Sequence, residues 1–176
     1  VAGWQFAFCS RNIALTTVNE SELGRLSTHE APNQVLAVAY MPAVDGQSQL
    51  PKIENELVVV CDGLNDPGNA GTIIRTADWF GIKNIYFSDG SVDIYNPKVV
   101  SAAKGSLFRV NCHYADLKLL FEANKHLKVY GTFMDGESIY KTELDQHGFI
   151  LIGNEANGIS NDLQPFVTNR ISIPNF

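Results

Sequence analysis

Arg75 and Asn69 belong to the run Asn65-Asp66-Pro67-Gly68-Asn69-Ala70-Gly71-Thr72-Ile73-Ile74-Arg75-Thr76-Ala77-Asp78-Trp79-Phe80-Gly81, which reads as a loop leading into a helix. Its proline and glycines fit a backbone that turns sharply and that a ligand approaches closely. The pattern predicts a helix starting near Asn69, whose side chain would cap it, and ending at Gly81. Ile73, Ile74, Ala77 and Phe80 form the expected buried stripe, which leaves Arg75 off the core face. Helical side chains lean toward the N-terminus, so Arg75 would reach back over Gly71 toward Asn69. A guanidinium, an amide and a helix N-terminus would then converge on one spot, an arrangement suited to phosphate or another anion. The same spacing also allows Arg75 to pair with Asp78 or stack on Trp79.

The elements that position this run read as alternating strands and helices. Leu57 to Val60 is an unbroken apolar stretch, as in a strand buried on both faces of a parallel sheet. Asn84 to Phe87 reads as a second strand, and Asn96-Pro97 opens a helix that stops at Gly105. Strands are expected at 107–111, 127–133, 149–152 and 170–173, with helices at 115–126 and 161–167. Such alternation implies a parallel sheet with right-handed crossovers, whose ligands sit beyond the carboxyl ends of the strands. The loops at 66–71, 132–136, 153–158 and from Ile173 onward are therefore the candidate site.

The stretch Asn65 to Ala77 closely resembles the first signature of the SpoU/TrmH RNA ribose methyltransferases, which are knotted SPOUT enzymes. Ile150-Leu151-Ile152-Gly153-Asn154-Glu155-Ala156-Asn157-Gly158-Ile159 resembles their second signature. Two matches in this order, about eighty residues apart, are specific where either alone would be weak. Ala156 stands where the family usually has glycine. The resemblance covers Glu54 to the end and implies an α/β fold of the α/β-knot type, with a mostly parallel sheet and helices on both faces. Ile171-Ser172-Ile173-Pro174 looks like the start of a third signature, and the chain stops at Phe176; the knot-forming C-terminus is expected to be missing and the chain to be a fragment.

By the same resemblance, residues 51–176 are a methyltransferase domain that binds S-adenosylmethionine. Backbone groups near Thr132, Gly153 and Ile173 would hold the adenine, with Asn154, Glu155 and Gly158 completing the pocket. Glu155 would organise its turn, and its carboxylate also suits a helix N-terminus. Methylation of a ribose 2'-hydroxyl would fall to Arg75, Asn69 and Glu155. A guanidinium does not readily lose its proton, so Arg75 is expected to grip a phosphate and stabilise the developing alkoxide. Asn69 would orient Arg75 or the ribose. The family implies a homodimer, with these residues facing the cofactor of the other protomer.

Residues 1–50 are expected to be part of a small α/β RNA substrate-binding domain with a linker at Asp45 to Ser48. Asn19-Glu20-Ser21-Glu22 has the spacing of a capping box for a short helix through Leu26, and Gln34 to Tyr40 reads as a strand. The stretch Ser27 to Ala37 resembles the end of that substrate domain, which favours ribosomal over transfer RNA. His29 is read as a turn residue.

The 176 residues are 45% hydrophobic and 18% charged, with a formal net charge of -6. This suits a globular protein and not a membrane span. Three scattered cysteines, Cys9, Cys61 and Cys112, fit a reducing compartment, the cytoplasm. His113, His126 and His147 are spread apart and suggest no metal site. The acidic balance requires any RNA contact to be local, and Lys98, Lys104 and Arg109 are candidates. A catalytically silent RNA-binding relative remains open. A Rossmann-type dinucleotide enzyme lacks its glycine spacing here.

Overall fold

The structure, a computed structural model, describes residues 14–27, 34–41 and 51–174. The chain divides into two compact units, Val1–Asp45 and Gly46–Phe176.

In the first unit, α1 (Glu20–Leu26) starts with the expected capping box. The Glu22 amide donates to Asn19 Oδ1 at 2.9 Å, and the Asn19 amide donates to Glu22 Oε2 at 2.9 Å. The expected strand at Gln34 to Tyr40 is absent. Those residues join no ladder among the described residues, and Val38 and Tyr40 are fully open. An alternating pattern makes a strand only where a partner supplies the hydrogen bonds. His29 and the linker at 45–48 lie outside the described residues.

The second unit is one six-stranded parallel sheet in the order β3-β2-β1-β5-β4-β6. Its strands are β1 (Leu57–Cys61), β2 (Asn84–Phe87), β3 (Asn111–Tyr114), β4 (Val129–Ser138), β5 (Gly148–Ile152) and β6 (Asn169–Ser172). Successive side chains of a strand point to opposite faces, and β1 uses both. Val58 and Val60 join a core with Phe149, Leu151 and α4 (Leu117–Ala123). Val59 and Cys61 join the core beneath α2 (Pro67–Trp79) and α3 (Pro97–Ala103). Helices thus cover both faces, as expected, and each fully buried valine contributes about 1.5–3 kcal/mol.

Several boundaries differ from the sequence reading. Helix α2 starts at Pro67, capped by Asp66, whose Oδ1 accepts the Asn69 amide at 2.7 Å; Asn69 is not the cap. Its buried stripe is Ala70, Gly71, Ile74 and Ala77, while Phe80 is the C-cap and 74% exposed. The stripe turns toward small residues because α3 packs closely there: a Cβ on Gly71 would stand 2.5 Å from Ala102 Cβ and 2.7 Å from the Val99 carbonyl oxygen.

The expected strand at 107–111 is a 3-10 turn, Ser106–Phe108, because the left-handed Gly105 leads into i→i+3 bonding; β3 follows it. The expected helix at 115–126 is shorter. It ends at Asn124, whose side chain accepts the Ile53 amide at 2.8 Å and donates to the Leu120 and Pro51 carbonyls. The helix expected at 161–167 shrinks to a 3-10 turn, Gln164–Phe166. Strand β4 runs to Ser138 with a register break, so that Ile171 faces both Thr132 and Glu137. Among the described residues, no helix is long and apolar enough to cross a membrane.

Gly71→Ala should therefore lower unfolding stability by about 1–3 kcal/mol in urea titrations. Gly90→Ala, where an added Cβ meets nothing within 4 Å, should leave the midpoint in place. An unchanged Gly71→Ala midpoint would contradict the close approach of α2 and α3.

Candidate functional site

Strand order reverses between β1 and β5. Chain order runs outward from β1 to β2 and β3, then β4 crosses to the other side and β5 returns beside β1. Ligands of open α/β sheets bind at such a switch point, beyond the carboxyl ends of the strands. Both motif loops leave the sheet there, one after Cys61 and one after Ile152, the last residues of a registered pair.

Three sets of hydrogen bonds join the two loops. The Ser160 amide donates to Asp62 Oδ2 at 2.7 Å. Asn154 Nδ2 donates to the Gly63 carbonyl at 2.7 Å. The Glu155 carboxylate accepts from the Asp66 amide at 3.2 Å, the Asn69 side-chain amide at 3.3 Å and the Asn65 amide at 3.5 Å. It receives these at the first turn of α2, where the helix dipole favours an anion. Partial burial raises the Glu155 pKa. Hydrogen bonds from its own backbone amide, Asn69, Asp66 and Asn65 lower it and prevail, so the carboxyl sits below its ordinary 4.5.

The second loop is a narrow turn. Asn154 and Gly158 exchange backbone hydrogen bonds at 3.0 and 2.9 Å, and Asn154 Oδ1 accepts the amides of Ala156 and Asn157, each at 3.0 Å. A Cβ on Gly153 would stand 2.2 Å from the Gly158 carbonyl carbon, so only glycine fits there. Gly158 has φ 68°. Ala156 is exposed and its φ is not positive, so its methyl group is accommodated without strain.

The Arg75 side chain is exposed and, among the described residues, makes no hydrogen bond or ion pair. The expected partner Asp78 is held by Arg109, whose Nη2 lies 2.6 Å and Nε 2.9 Å from Asp78 Oδ2. This removes Arg109 from the set of unpaired cations and leaves Lys98 and Lys104 exposed. Asn69 donates its side-chain amide to Glu155, and the structure shows no bond from it to Arg75. Asp66 lies in the expected site loop, but its role as the cap of α2 was missed, although Asp-Pro is a strong N-cap and N1 signal.

The other candidates lie on the edge formed by β5, β4 and β6. Thr132 Oγ1 donates to the Leu151 carbonyl at 3.2 Å, and the β4–β5 register ends at Gly131–Leu151. The peptide groups of Gly153 thus lie past the pairing with β4. Ile173 follows β6 and is 78% exposed. Cys61, buried below the motif loops, is pushed up to about 12 by burial, then by Cys112 and Glu155; its thiol is no nucleophile.

Residues 56–176 match the model of the SpoU rRNA Methylase family, and the chain belongs to that family. It is 32% identical over 145 residues to the 23S rRNA (guanosine(2553)-2'-O)-methyltransferase RlmP of Bacillus subtilis (strain 168), covering 81% of this chain and 56% of that protein. It is 33% identical over 162 residues to the 23S rRNA (uridine(2479)-2'-O)-methyltransferase of Streptomyces viridochromogenes, covering 87% and 55%. The chain spans about half the length of these curated relatives. The crystal structure of the SpoU methyltransferase AviRb from Streptomyces viridochromogenes in complex with AdoMet superposes with a TM-score of 0.79 at 30% identity, covering 97% of this chain and 68% of that one.

The depressed pKa makes the clasp pH-dependent with a definite sign. Its stabilisation is complete above the ordinary value of 4.5 and is lost as pH falls through the lower folded value. NMR titration of the Glu155 carboxyl carbon should give a midpoint below 4.5, and Asn69→Ala should raise it. A midpoint at or above 4.5 would contradict the clasp.

Proposed function

We propose that the protein transfers a methyl group from S-adenosylmethionine to a ribose 2'-hydroxyl of RNA, ribosomal RNA in preference to transfer RNA. The observation that carries this reading is the Glu155 clasp, which sets the loop leading to Arg75 beside the glycine turn at the switch point of the sheet. The activities printed for the two rRNA relatives support the same chemistry.

The residues present fit the cofactor. Gly153 and Ile173 directly follow β5 and β6, and Thr132 stands within β4 just past its pairing with β5, where peptide groups and the open Ile173 side chain suit a flat purine with hydrogen-bonding edges. Asn154, Glu155 and Gly158 shape the turn beside them. When bound, S-adenosylmethionine supplies an electrophilic methyl group on a sulfonium.

Arg75, a permanent cation free of any partner among the described residues, holds the phosphate next to the target ribose and stabilises negative charge on the 2'-oxygen. Asn69 and Glu155 act together as positioning residues that fix the first turn of α2. The reading extends to a homodimer, in which Asn69 and Arg75 face the cofactor of the other protomer, and to a fold of the α/β-knot type. It also takes residues 1–50 as part of an RNA substrate-binding domain, 51–176 as the methyltransferase domain, and the cytoplasm as the site of action.

Arg75→Ala should reduce methyl transfer to RNA by about 100-fold or more, a loss of about 2.7 kcal/mol in transition-state stabilisation. Calorimetric S-adenosylmethionine affinity should stay within about twofold. Normal turnover by the variant would remove Arg75 from the mechanism.

A further inference from the structure

Beyond the motif loops, one exposed surface combines aromatic rings with cations. Trp79 is 85% exposed and Phe108 78%. Trp79 directly follows Asp78 and Phe108 directly precedes Arg109, and these two charged residues form the bidentate pair. The pair ties the C-terminal end of α2 to the 3-10 turn, so that two exposed aromatic residues, Trp79 and Phe108, each neighbour one member of the same ion pair in sequence. Single exposed apolar side chains are ordinary, but aromatic rings grouped on a fixed framework mark an interaction site.

Charge selects the occupant. Segments 71–84 and 104–111 contain Arg75, Lys83, Lys104 and Arg109 but one carboxylate, Asp78, in a chain of net charge -6. A second copy docked through this surface would set cations against cations. A single-stranded nucleic acid offers a base face to each ring and phosphates to Arg75, Lys83 and Lys104, while Arg109 stays with Asp78. Trp79 stands four residues after Arg75 on α2, one turn and about 6 Å along the axis on the same side of the helix.

We propose that Trp79 and Phe108 form a stacking platform for bases that flank the nucleotide held at Arg75, so that the substrate segment is single-stranded RNA lying along α2. This rests on the RNA reading above and adds to it the conformation of the substrate and the residues that bind its flank. The platform tolerates any base, because every base has a π-face, and it leaves sequence choice to other parts of the protein.

The test uses the whole chain carrying Trp4→Phe, so that Trp79 is the sole tryptophan, titrated with a short oligoadenylate. Saturable quenching of Trp79 fluorescence, weakened by added salt, is expected. Trp79→Ala and Phe108→Ala, followed by anisotropy of labelled oligoadenylate with circular dichroism as the folding check, should each weaken binding at least about fivefold. Trp79→Tyr should restore most of it.

Wild-type chain that transfers methyl to RNA while Trp79→Ala binds oligoadenylate undiminished overturns the platform and leaves the activity standing. Chain that binds oligoadenylate through Trp79 but transfers no methyl overturns the activity and leaves the platform standing. Self-association in sedimentation that Trp79→Ala abolishes, with no quenching by oligoadenylate, assigns the surface to a second copy and overturns the proposal.

Discussion

The carboxylate of Glu155 is the interaction on which the site depends. It comes from the loop after β5, and its three donors come from the loop and first turn after β1, about ninety residues earlier in the chain. The Asp66 amide, at the N-cap, is a group that the start of a helix leaves unsatisfied, and the Asn65 amide just precedes it, so the contact supplies an acceptor for both. Asp66 caps the same turn from within its own segment. The result is a helix start held from two sides, with Arg75 carried at a fixed distance along a rigid helix.

That clasp works only because the sheet beneath it is set in register. Strand β1 is buried on both faces and pairs over its full length with β5, so the two loops leave the sheet at the same height. Small residues provide the other requirement. Gly71 lets α3 pack against α2, and Gly153 lets its turn fold back on Gly158 with no room for a side chain. The buried Asn124 anchors the chain before β1 to the end of α4 with all its side-chain groups bonded, and breaking such a set costs about 1–3 kcal/mol.

Much of this was legible in the residues. The apolar run at β1, the Asn96-Pro97 helix start, the capping box at Asn19 and the alternation of strands with helices all follow from local rules, and the structure repeats them. The strand expected at 107–111 was lost to a local cause, the left-handed Gly105, but four other misses share one: a distant partner decided the outcome. Phe80 fits a helical stripe by spacing, but the neighbour that matters is α3, and it selects Ala70 and Gly71 instead. Arg75 and Asp78 have ion-pair spacing, yet a bidentate Arg109 thirty-one residues on takes the carboxylate. Asn69 reads as a cap or as a partner for Arg75 because its acceptor, Glu155, is eighty-six residues away. The strand pattern at Gln34 to Tyr40 lacks a pairing partner among the described residues, and periodicity alone cannot supply one.

Transfer of labelled methyl from S-adenosylmethionine to unmodified ribosomal and transfer RNA tests most directly whether the carboxyl edge of this sheet methylates ribose. After alkaline hydrolysis, label is expected in an alkali-resistant dinucleotide from ribosomal RNA. Label recovered in a base, or no transfer to either RNA by chain that binds the cofactor, would contradict ribose methylation.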